Sequence, residues 1–357
     1  MKKIVLLLLF FLIIPSVIYT QEIIENPEKP ANPNAGRILN IQEVLRITDE
    51  GGEFYFVGPR YIKVAPDGTI FLYDREQLLR FDENGKFIHN FFIKGQGPGE
   101  LNYVRNYAFQ DGKLIVFNAN PYKMVWFDFN GELLNDVKIH DISGYLHFQF
   151  LKDNTFYFFA SDMARSDGKT TIMNAPQILI ALDQLGKKEK EITSFNTKVF
   201  RTGGAWADMS SLISVPYKKR YLFLSHTQEY LVKLYDIETQ MTLRIFTRKY
   251  KRVKPPKDHK FGVFYGRDGK RIGPPIPEFF NDISELFMFK DLLWVRTSTK
   301  DERKGYLIDV FNLDGKFIDS FYLKINGSLV ATHEDFIFIR EKDEDELLNI
   351  VKYKVIE

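Results

Sequence analysis

Along this chain, short runs in which apolar and polar residues alternate are separated by clusters of Asp, Asn, Gly and Pro. That period-two pattern predicts half-buried β-strands joined by tight turns. One unit recurs: Phe81-Asp82-Glu83-Asn84-Gly85-Lys86-Phe87-Ile88 and Phe311-Asn312-Leu313-Asp314-Gly315-Lys316-Phe317-Ile318 are almost interchangeable. The same signature appears at Phe127-Asp128 to Gly131-Glu132-Leu133, at Leu182-Asp183 to Gly186-Lys187 and, without its glycine, at Tyr235-Asp236 to Met241, so successive copies lie 46, 55, 53 and 76 residues apart. Recurrence on that scale marks stacked copies of one supersecondary unit.

Around each copy the pattern predicts four short strands in an antiparallel meander. In the first, Tyr61 to Ala65, Thr69 to Tyr73, Leu78 to Phe81 and Lys86 to Ile93 are punctuated by Pro66-Asp67-Gly68 and by Asp82 to Gly85. Six blades are expected, at about 60–93, 105–139, 146–194, 211–247, 284–324 and 327–356. The last offers only three strands, whereas Arg37 to Ile47 has no partner of its own. Adding that segment to the C-terminal sheet would close a ring and remove two exposed sheet edges. The predicted fold is all-β, a six-bladed β-propeller of four-stranded antiparallel blades over 37–357, its last blade closed by an N-terminal strand.

The loop Gly95-Gln96-Gly97-Pro98-Gly99-Glu100, followed by Asp111-Gly112-Lys113-Leu114 and then by Phe127-Asp128 with Gly131-Glu132, resembles the six-bladed β-propellers related to NHL repeats, common among exported bacterial proteins. The resemblance runs from about Arg37 to Glu357. It implies the same fold but no particular activity, because this architecture serves binding and catalysis alike.

Composition narrows the uses. With 33 Phe and 18 Tyr, the chain has the wide, flat side chains that packed sheets need. A formal charge of +2, from 49 basic and 47 acidic residues, provides no global field for a polyanion, so no nucleic acid partner is expected. The absence of cysteine excludes disulfides, thiol catalysis and cysteine-ligated metals. At the N-terminus, Lys2-Lys3 precede the apolar run Ile4 to Ile14 and Pro15, which reads as a signal peptide over 1–20. The protein is therefore expected to be exported, periplasmic or extracellular, and a monomer. Membrane tethering is an alternative, because Ile18 and Thr20 make a poor processing site. Residues 21–36, rich in Pro, Asn and Glu, read as a flexible tether.

No local catalytic motif stands out. The glycine loop at 95–100 lacks the Gly-Lys-Ser/Thr ending and a following helix, so it reads as a turn between blades rather than a phosphate cradle. Asp82-Glu83-Asn84-Gly85 and Asp343-Glu344-Asp345-Glu346 lack the ligand spacing of a calcium loop and read as hairpin turns. The histidines at 89, 140, 147, 226, 259 and 333 form no local metal pair. Candidate ligand contacts are Arg60 and Arg105, beside the innermost strands, where a guanidinium could meet a carboxylate or sulfate; Trp206, a stacking platform in the Gly-rich loop Arg201 to Met209; and Lys249, Lys251 and Arg252. These last three belong to a long insertion, 248–282, in which seven of the thirteen residues from Arg248 to Lys260 are basic. It reads as an arm that caps one face or meets anionic lipid or polysaccharide. The leading expectation is a non-catalytic propeller with no cofactor, binding a protein, peptide or glycan through the loops of one face. The alternative is a lactonase-like or lyase-like enzyme with a divalent metal ion on the axis.

Overall fold

Every regular element among the described residues is a β-strand. The computed structural model describes residues 22–356 apart from 50, 141, 143, 162–170, 203–204, 210, 258, 260–263 and 266–270; the signal-peptide reading over 1–20 falls outside them. Five four-stranded antiparallel meanders occupy 60–90, 103–138, 145–195, 212–248 and 283–323. The sixth joins Gly327–His333, Phe336–Lys342 and Leu348–Ile356 to Asn40–Ile47, with Ile41 opposite Val355 and Ile47 opposite Ile350. The fold is the six-bladed propeller that the strand pattern predicts.

Among the described residues, the buried apolar side chains form six clusters, one in each gap between neighbouring blades. Ile47, Phe338 and Ile350 of the sixth blade meet Ile62, Leu79 and Phe81 of the first, so the core itself closes the ring. Because each sheet is covered on both faces, its middle strands lose the alternation of a half-exposed strand. Ile70–Asp74 is buried at every position, and Phe156, Phe158 and Phe159 are buried along one strand of the third blade. The rings therefore fill the wedge between radially splayed sheets.

The repeated sequence unit has a single local cause. Asp82 accepts the backbone N–H groups of Asn84 and Lys86 through one carboxylate oxygen. Asp128, Asp183 and Asp343 do the same for their own turns, while Asn312 accepts from Lys316. Such turns then need a left-handed residue, supplied by Gly85 at φ +80° and Gly315 at +76°. In the last blade Glu346 takes that conformation at φ +63°, which hides the sixth copy from a search for glycine.

Two expectations about the N-terminal segment need correction. Residues 22–36 are not a free tether: Glu22–Asn26 adds a fifth, parallel strand to the outer edge of the fourth blade. Further on, Ala31, Asn32 and Gly36 donate backbone hydrogen bonds to Phe317, Ile318 and Ser320 on the fifth blade. The closing strand also starts later than predicted, since Arg37–Ile38 pairs in parallel with Phe321 and Tyr322, and only from Asn40 does the chain complete the sixth blade. Polar, Pro-rich sequence cannot form a sheet alone, but an existing sheet edge can supply its backbone partners. At the junction, the buried Asn26 amide donates to Thr247 O at 3.0 Å and to Gly315 O at 2.8 Å, and its oxygen accepts from Phe317 N at 2.9 Å.

Candidate functional site

The two faces of the propeller differ. One carries the Asp-centred turns and has little variation from blade to blade. The innermost strands begin at the other, so Arg60, Tyr103, Tyr145 and Leu212 all lie there. This second face also receives the connections between blades, and the additions to the basic fold gather on it. Thr171–Asn174, Lys198–Thr202 and Ala205–Asp208 form an extra antiparallel sheet whose strands leave the third blade and the passage to the fourth. The sequence gives this sheet no clear pattern, because its strands are short and two of its segments interrupt or follow a blade.

Beside the extra sheet lies a pocket of about 460 Å³. Arg105 and Asn106 of the second blade, Tyr145 and Gln149 of the third, Ser214 of the fourth, Val199 from the added sheet and Thr197 just before it contribute to its wall. Tyr61 reaches it from the first blade, and burial pushes its hydroxyl above the ordinary tyrosine range. Thus Tyr61 remains a neutral hydrogen-bonding group at physiological pH. Gln149 is oriented by Ser214, whose hydroxyl donates to it at 2.6 Å, and by its own bond to His147 O at 3.2 Å. No described lining side chain is an Asp or a Glu.

Arg60 and Arg105 form part of one aromatic and cationic rim. Arg60 lies over the rings of Tyr61, Tyr73 and Tyr103 at 5.1–5.5 Å and donates to the Tyr103 hydroxyl at 3.2 Å. Arg105 is 4.5 Å from the same Tyr103 ring and 5.1 Å from the ring of Tyr145. Arg105 Nε is buried without a hydrogen-bond partner. Deeper toward the axis, Lys63 reaches from the first blade to the rings of Tyr107 and Phe148. Part of its side chain touches solvent, yet protein surrounds it, and desolvation lowers its ammonium to about 8.

The remaining candidates are dispersed. Trp206 lies on a strand of the extra sheet, paired with Arg201, rather than in an irregular loop. Lys249 and Lys251 are exposed, but Arg252 is committed to Asp282 at 2.9 Å and to Gln228 O at 2.8 Å. Arg248 bonds the buried Asp309 at 2.7 Å, so some of the basic insertion is internal wiring rather than free surface. The glycine loop at 95–100 spends its donors within the protein: Gly97 N bonds Glu100 and Gly99 N bonds Asp136, whose carboxylate also holds the buried Lys123. Among the described residues, no three His, Asp or Glu side chains could jointly hold a metal ion. The axial-ion alternative therefore finds no ligand set there.

A family model described as a 6-bladed beta-propeller, DUF5128, matches residues 47–255, more than half of the chain. Among solved structures, a putative exported protein from Bacteroides fragilis NCTC 9343 is similar with a TM-score of 0.59 and 12% identity over 94% of this chain and 100% of that one. A member of the DUF4221 family from Bacteroides vulgatus has a TM-score of 0.56, also at 12% identity, over 90% and 99%. At this identity the likeness concerns the fold alone. No curated protein matches the sequence.

Proposed function

The chain belongs to the DUF5128 family of six-bladed β-propellers, and on that scaffold we propose an exported binding protein that takes a glycan, peptide or protein segment at the face where the innermost strands begin. The observation that carries this reading is the pocket beside the extra sheet, because strands from four blades and an addition to the basic fold converge there. Concave sites with a mixed apolar and polar wall are the usual seats of ligands, and this volume falls in the common range of about 300–1,000 Å³. Export is supported by the basic and apolar N-terminal segment, and weakly by the solved neighbour named an exported protein. The test is an unbiased screen of the protein against glycan and peptide arrays, repeated with Leu212→Trp, which fills the pocket, and with Ile88→Trp on an outer strand. Binding should survive the second change and fail with the first. Ligands retained equally by both variants would place binding elsewhere and overturn the assignment.

A further inference from the structure

We propose that the pocket beside Arg105 accepts a carboxylate-bearing sugar, a uronic acid or a disaccharide containing one, with the acid group seated on the Arg105 guanidinium; this rests on the binding-face reading above. Three observations converge on it.

First, Arg105 has no ion pair or hydrogen bond to any described residue, and its Nε is buried. Other arginines of this protein meet carboxylates, including Arg37 with Asp319, Arg220 with Asp236 and Arg252 with Asp282. With no described carboxylate paired to it, the guanidinium on the pocket wall is available to an anionic ligand. The Tyr103 and Tyr145 rings lie 4.5 and 5.1 Å from the guanidinium, whose N–H groups make the planar fork that carboxylates match.

Second, the described wall carries no carboxylate to compete for that cation; its other basic side chain is His147. Arg60, also over Tyr103, adds positive potential at the rim without joining the pocket wall.

Third, the rest of the wall is rich in neutral hydrogen-bonding side chains, including Asn106, Gln149, Gln177, Thr197 and Ser214, together with the aromatic rings of Tyr61 and Tyr145. Amides and hydroxyls complement the equatorial hydroxyls of a pyranose, while ring faces cover its C–H surface.

Calorimetric titration of the intact protein with glucuronate and digalacturonate, their methyl esters, and tripeptides with free or amidated C-termini tests this assignment. The acids should bind at least about tenfold tighter than their esters, a preference that salt weakens. Arg105→Met should erase the preference, with circular dichroism of the variant checking that the fold is retained. Arg105→Lys should restore only part of it, since it returns charge without the fork. Equal binding of acid and ester, or a preference that survives Arg105→Met, refutes the role of Arg105. An Arg105-dependent gain confined to the free-carboxylate peptides refutes the sugar class. If none of these probes binds, the proposal fails, whereas array ligands lost with Leu212→Trp would still support the binding face.

Discussion

Replacing Asn26 by alanine tests whether the N-terminal segment is part of the fold or merely passes over it. The side chain is 8% exposed and links three backbone groups on two blades: Thr247 O, Gly315 O and Phe317 N. The bonds to Gly315 and Phe317 are buried, so water cannot readily replace the lost partner. Each buried group left unsatisfied costs about 1–3 kcal/mol. Allowing partial relaxation, and counting the more accessible Thr247 bond near the low end, the expected loss is about 2–4 kcal/mol. Equilibrium urea unfolding followed by tryptophan fluorescence would measure it, and hydrogen exchange should show the Phe317 amide losing protection. Asn26→Asp sharpens the argument, because an ionised carboxylate would place a second oxygen against carbonyls that now accept from the amide. It should be at least as damaging as alanine at pH 7 and recover in part once acid restores a donor on the carboxyl group. A stability change below about 0.5 kcal/mol, with the Phe317 amide still protected, would refute the clasp.

Three other substitutions probe burial and backbone conformation. Lys63→Met should relieve the cost of a charged amine whose folded pKa is lowered from 10.5 to about 8. Between those values the unfolded chain binds more protons, so wild-type stability gains with rising pH; the variant's advantage is fullest below pH 8 and fades toward pH 10.5. The gain is at most about 3 kcal/mol before subtracting about 1 kcal/mol for the lost bond to Tyr107 O, and a difference that stays flat from pH 7 to 10 would contradict the burial argument. Gly315→Ala should cost about 2–4 kcal/mol, since its new Cβ would stand 2.9 Å from the buried Phe246 ring at a positive φ. Gly112→Ala, at similar φ but with nothing within 4 Å, should cost about 1 kcal/mol. Equal unfolding losses for the two would show that backbone conformation alone governs these turns.

The repeated turns made the blades legible because their cause is local: an Asp or Asn side chain accepts backbone N–H groups of its own turn and a neighbouring residue turns left-handed, wherever the chain is read. Blade number and ring closure followed from counting, since an unpaired N-terminal strand and a three-stranded C-terminal sheet each lack what the other supplies. Tertiary structure decided what lies on the opposite face. There the connections share no repeated signature, and Arg60, Arg105, Tyr103 and Tyr145 meet only because separate blades converge on one axis. The place of Arg105 beside an innermost strand was legible in the sequence; its isolation from every described carboxylate was not. Likewise, composition marked 22–36 as unable to fold alone, but only the neighbouring sheet edges could show where its backbone would find partners. Short-range hydrogen bonding can be read residue by residue, whereas the pairing of distant edges and the lining of a pocket depend on how the whole ring closes.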